Sequence, residues 1–82
     1  MYFSEWKKDD GYFECLLSFS KELTPVLRVR AVKESNPGTF SAIVRDFGGT
    51  GRMVKCEARM PLDDAKSKAK ELAIQFIQES LQ

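Results

Sequence analysis

A chain of 82 residues, 43% of them apolar and 11% aromatic, has room for one modest hydrophobic core and reads as a single domain over 1–82. Its 13 lysines and arginines nearly balance its 12 aspartates and glutamates, so no net field draws it to nucleic acid or an anionic membrane. The absence of histidine removes the commonest general base and metal ligand.

Tyr2 to Lys7 carries Tyr, Phe and Trp and reads as a first strand, closed by the turn Lys8-Asp9-Asp10-Gly11. A second strand runs from Tyr12 to about Ser20, with Phe13, Cys15, Leu17 and Phe19 on one side and Tyr12, Glu14, Leu16 and Ser18 on the other. After a polar connector ending at Pro25, a third strand spans 26–33 and sets Leu27, Val29 and Ala31 against Arg28 and Arg30. Glu34 to Gly38 is a turn with proline and glycine in their usual places. The fourth strand, 39–46, places Phe40, Ala42 and Val44 opposite Ser41, Ile43 and Arg45. Beyond the glycine-rich Phe47–Gly51, a fifth strand over 52–60 alternates Val54, Cys56, Ala58 and Met60 against Met53, Lys55, Glu57 and Arg59. Short connections between successive strands favour an antiparallel meander.

The one long helix signal covers about 61–81. Pro61 lies at its start, and Asp63 and Asp64 occupy the first turn, where carboxylates suit the helix dipole. Stepping about 100° per residue from Leu62 gathers Leu62, Ala65, Ala69, Leu72, Ala73 and Phe76 into one apolar arc that can dock on a sheet. The expected fold is therefore α+β, a four- to five-stranded antiparallel sheet with the C-terminal helix on one face.

Candidates for chemistry are few. Asp9-Asp10 and Asp63-Asp64 are explained by a turn and a helix start. Cys15 and Cys56 alternate with core residues and read as small buried hydrophobes, too few for a zinc site. The glycine loop lacks the lysine, hydroxyl residue and following helix of a phosphate-binding loop; it reads as a hairpin tip whose Arg52 is a candidate partner contact. No catalytic residue, metal or cofactor is expected. Met1–Asp10 has no apolar signal-peptide core, and no apolar run approaches the ~20 residues of a membrane span, so the expected setting is cytoplasmic with reduced thiols.

The working surface is expected on the sheet face the helix leaves open. Alternation assigns Arg28, Arg30, Arg45, Lys55 and Arg59 to it, beside Tyr12 and only two acids, Glu14 and Glu57. Arginine and tyrosine are enriched at binding hot spots, and such a face suits an anionic partner, protein or single-stranded nucleic acid. On the helix, Ile74, Ile77 and Leu81 fall off the docking arc and form a candidate stripe for the first strand, a second copy or a target.

The meander followed by Pro61-Leu62-Asp63-Asp64-Ala65-Lys66 resembles many small phage and prophage proteins, some anti-CRISPR proteins among them. That resemblance implies a non-enzymatic inhibitor in the host bacterial cytoplasm that occludes a bacterial protein or ribonucleoprotein. The sheet-then-helix order is also similar to PUR-repeat and Whirly-type proteins, which implies the alternative, a single-stranded nucleic-acid binder on the same sheet face.

Overall fold

The alternating segments do become strands. The computed structural model, which describes residues 1–81, has seven elements: β1 (Tyr2–Phe3), β2 (Lys7–Asp9), β3 (Tyr12–Ser18), β4 (Leu27–Lys33), β5 (Phe40–Asp46), β6 (Met53–Met60) and α1 (Leu62–Ser80). β3, β4, β5 and β6 pair antiparallel with their sequence neighbours, and β1 and β2 both pair with the outer side of β3. The architecture is α+β, an antiparallel sheet with the C-terminal helix packed on one face.

The core lies between α1 and rows of side chains that cross the strands. One row is Cys15, Val29 and Val44; the next is Phe13, Ala31 and Ala42; a third pairs Leu17 with Leu27. All except Phe13 are buried. Each of the larger aliphatic side chains contributes about 1.5–3 kcal/mol on leaving water. From the helix come Ala65, Ala69, Leu72, Ala73 and Ile77. The three alanines are fully buried, and their small side chains let the helix backbone approach the sheet. Pro61 is the cap residue rather than the first helical one; its extended backbone (φ −61°, ψ 160°) offers the carbonyl that the Ala65 N–H bonds at 2.9 Å.

Three expectations need correction. The first strand is not continuous over 2–7. Phe3 opposes Leu17 and Lys7 opposes Glu14, so one extra residue bulges out between β1 and β2. Ser4 bridges the gap: its N–H donates to the Leu16 carbonyl at 2.9 Å and its hydroxyl accepts the Leu16 N–H at 2.8 Å. The extra residue lets Phe3 and Trp6 both pack against the core, which strict alternation would forbid.

The second strand ends at Ser18, and Phe19, expected inside, is 50% exposed in the β3–β4 connection. The third correction concerns β6. Its register on β5 shifts between Val44 and Arg45 and again between Phe40 and Ala42. Val54 and Met60 still pack on the core, as alternation expects. Between them the phase is inverted: Lys55 opposes buried Val44, Glu57 opposes buried Ala42, and Cys56 opposes Ile43 on the open face. Cys56 and Ala58 are thus exposed instead of buried.

Candidate binding face

On the open face the register lays down three cross-strand rows. The first is Leu16, Arg28, Arg45 and Met53; the second is Glu14, Arg30, Ile43 and Cys56; the third is Tyr12, Val32 and Ser41. The arginines come from β4 and β5, whose other side carries the buried Leu27, Val29, Ala31, Ala42 and Val44, so their positions are fixed by the core beneath them.

Arg28 lies directly opposite Arg45, a like-charge pair that costs stability if left alone. Each turns away. Arg28 reaches diagonally to Glu14 (3.3 Å) and places its guanidinium over the Phe47 ring, 4.7 Å from the centroid. Arg45 donates to the Gly51 carbonyl at 3.0 Å and so holds the glycine loop, whose Gly49 (φ 62°) and Gly51 (φ 67°) take backbone angles that side chains disfavour. Arg30 bonds Glu14 at 2.6 Å and stacks on Tyr12, 4.6 Å from the ring centroid. One carboxylate therefore holds two guanidiniums, and each guanidinium covers one aromatic ring. The Tyr12 hydroxyl donates to Asp9 at 3.1 Å, and that bond holds the Tyr12 pKa above its ordinary value.

Two of the basic residues assigned here by alternation do not join this cluster. Lys55 projects to the helix side, where its ammonium meets Glu79 at 2.9 Å; Glu57 does the same toward Lys68 at 3.8 Å. Arg59 sits in the second bulge with φ 66°, a left-handed conformation that is uncommon for a side-chain-bearing residue. Its backbone N–H is accepted by Glu34 at 2.7 Å, and Glu34 also accepts the Ser41 hydroxyl at 2.8 Å. These two donors, Arg59 first, hold the Glu34 carboxyl below the usual carboxylate range. Arg52 is exposed just before β6, and its carbonyl closes the loop by accepting the Asp46 N–H at 2.9 Å.

Ile74, Ile77 and Leu81 do not form one exposed stripe. Ile77 is only 7% exposed and belongs to the core cluster, Ile74 is half-buried, and Leu81 is 76% exposed. The neighbouring part of the helix instead carries Lys66 over Phe13 and Trp6 and Lys70 over Phe3 and Trp6, with ammonium-to-centroid distances of 4.5–5.7 Å.

Sequence reasoning missed Glu14 and Phe47 as organisers of the face, although the alternation that places Arg30 on β4 also places Glu14 on that side of β3. It also missed a gradient along the molecule. Exposed large apolar side chains collect at one end: Tyr2 opposite Ser18, Phe19 and Leu23 after β3, Met53 at the start of β6, and Leu81 after the helix. Tyr2 and Met53 belong to the open face, so the mixed arginine surface runs into an apolar rim. At the opposite end an open groove of about 460 Å³ is lined by Phe13, Phe40 and Leu62 and rimmed by Lys8, Lys33 and Asp9. Asp9 there is engaged by the Asp10 N–H (2.7 Å) and the Tyr12 hydroxyl.

The fold and face together define a two-layer α+β protein with one sheet surface uncovered. Comparison with known proteins finds no matching family model, no matching curated protein and no matching solved structure. Among the described residues no helix is long and apolar enough to cross a membrane.

Proposed function

We propose that this chain is a non-enzymatic binding protein that covers a surface of a bacterial protein or ribonucleoprotein with its open sheet face. The observation that carries the reading is the face itself: Arg28, Arg30 and Arg45 set in fixed orientations among Tyr12, Leu16 and Ile43, continuous with exposed Tyr2 and Met53. Arginine, tyrosine and methionine beside aliphatic surface are the composition of protein interfaces. A single-stranded nucleic-acid binder needs free aromatic planes for base stacking. Here a guanidinium lies over Tyr12 and another over Phe47, which favours the protein partner. The likeness of the layout to small phage and prophage proteins supports an inhibitor acting in a host cytoplasm.

The test is a paired capture from bacterial lysate with the wild type and with a Leu16→Glu/Ile43→Glu variant. Each new acid lands directly opposite an arginine, Arg28 or Arg30, so the fold is retained while the apolar surface is removed. The expected result is a protein held by the wild type with or without nuclease, and lost by the variant at an unchanged melting temperature. Capture that disappears on nuclease treatment, with micromolar binding of short DNA or RNA that weakens steeply with salt, would transfer the face to nucleic acid. Capture indifferent to both substitutions would remove the face from the function.

A further inference from the structure

Among the described residues, the outer side of β6 is the one long open edge of this sheet. β6 has eight residues and pairs only with β5, whereas the opposite edge consists of two short strands broken at residues 4–6. A sheet edge presents unpaired backbone N–H and C=O groups and accepts another strand unless something blunts it. The two bulges confine the regular part of β6 to Lys55–Glu57, which opposes Val44–Ala42 without a register break. That short segment, Lys55-Cys56-Glu57, has a property its length does not suggest: it is complementary to itself when run antiparallel.

We propose that β6 is a homotypic interface, in which a second copy of this chain pairs antiparallel about a two-fold axis through Cys56. In that register Lys55 of each copy opposes Glu57 of the other, twice over by symmetry, and Cys56 opposes Cys56. Slipping by a single residue leaves Cys56 opposite Lys55 or Glu57 and loses both charge pairs. Lys55 and Glu57 both project to the helix side, where Glu79 and Lys68 already accompany them, so the new pairs join an existing ring of alternating charge. The two Cys56 thiols meet on the other side, at the rim of the open face, where Cys56 is exposed. Directly opposed antiparallel residues have Cα atoms about 4.5–5.5 Å apart, inside the roughly 4.4–6.8 Å window of a disulfide. So short a strand pairing buries less than the about 1,200 Å² of a stable complex, so the association is weak and reversible. It joins two open faces into one sheet but does not depend on what those faces bind.

The experiment uses Cys56 as the reporter of register. Concentrated wild-type protein is treated with diamide, which accepts the two electrons and two protons released as two thiols become a disulfide. The products are separated without reductant. Wild type is expected to yield a covalent dimer of the 9.3 kDa chain, and Cys56→Ser none. Lys55→Glu alone and Glu57→Lys alone each oppose like charges and should cross-link about tenfold more slowly. In an equimolar mixture of those two variants, one carrying a mass tag, a strand acidic at both positions meets a strand basic at both. Opposite charges then face each other at both crossings, and the mixed dimer should form at the wild-type rate. Recovery in the mixture cannot come from chains that fail to fold. Equal rates in wild type and both single variants, a mixture no faster than either variant alone, or wild type that gives no dimer would each overturn the proposal.

Discussion

Glu14→Gln isolates the charge that organises the open face. The amide keeps the shape of the carboxylate and can still accept a hydrogen bond, so packing is unchanged and only the ionic part is lost. Glu14 is 20% exposed, and its partners Arg30 and Arg28 are 22% and 33% exposed, which places both pairs between the buried and the fully solvated cases. Solvated pairs contribute about 0.2–1 kcal/mol, and hydrogen bonds to charged groups in drier surroundings about 1.5–3 kcal/mol. The short Arg30 contact at 2.6 Å belongs near the boundary of those ranges, and the Arg28 contact at 3.3 Å near the lower one. Together they give a loss of about 1.5 kcal/mol, or about 6–12 °C in melting temperature for a domain of this size. Thermal and urea denaturation followed by circular dichroism measure it. A double-mutant cycle with Arg30→Gln isolates the pair, with a coupling of about 1 kcal/mol expected. A Glu14→Gln protein melting within about 1 °C of wild type, or effects that simply add in the cycle, would refute the assignment of Glu14 as the organiser.

The two thiols should separate cleanly. Cys56 is exposed and reacts with Ellman's reagent in the native protein, while Cys15, 1% exposed and pushed up to about 11 by burial, reacts only on unfolding; no fast native equivalent would contradict the inverted phase of β6, and two would contradict the burial of Cys15. Because the Cys15 thiol ionises more readily in the unfolded chain, its contribution is complete below the unfolded value of 9.0 and declines toward the folded value of about 11, so Cys15→Ala should flatten the alkaline limb of a pH–stability curve. Glu34 carries the opposite sign. Its folded pKa is depressed, so its stabilisation is present at neutral pH and lost as pH falls through the folded value, and Glu34→Gln should flatten the acid limb of urea midpoints. In the helix, Ile77→Ala should cost about 2–4 kcal/mol by leaving a cavity and Leu81→Ala less than about 0.5 kcal/mol; equal effects would return Ile77 to the surface.

Where the chain keeps an unbroken ladder, its sequence states which way each side chain points. Within Tyr12–Ser18, Leu27–Lys33 and Phe40–Asp46 the β3–β4 and β4–β5 registers are unbroken, and the core and open faces of these three strands follow from the alternation. β6 alternates just as cleanly in sequence and is nonetheless inverted in its middle. A bulge inserts one backbone position without altering residue types, and the second bulge falls on Arg59 rather than on a glycine that would have marked it. The same blindness applies to Ser4–Trp6. On the helix, a wheel anchored at Leu62 misses Ile77 for a different reason. The buried series Ala65, Ala69, Ala73 and Ile77 is an i+4 row, which drifts around the axis as it ascends, and the contact follows the row instead of a fixed angle.

The inversion of β6 changes what the open face can recognise. With Lys55 turned to the helix side, the basic cluster reduces to Arg28, Arg30 and Arg45, and each of them already has a protein partner. The long-range field of this face is therefore smaller than alternation suggests, and it is a poor steering device for a polyanion. What the face gains is order. A guanidinium stacked on a ring and held by a carboxylate has little rotamer freedom left to lose, so a contact it makes carries less of the entropic cost that weakens arginine interfaces. Stacking also hides the flat side of the guanidinium and leaves its in-plane N–H groups as the recognition element, which matches carboxylates and backbone carbonyls better than stacked bases. Glu14 is thus both what weakens the face as an electrostatic attractor and what sharpens it as a template.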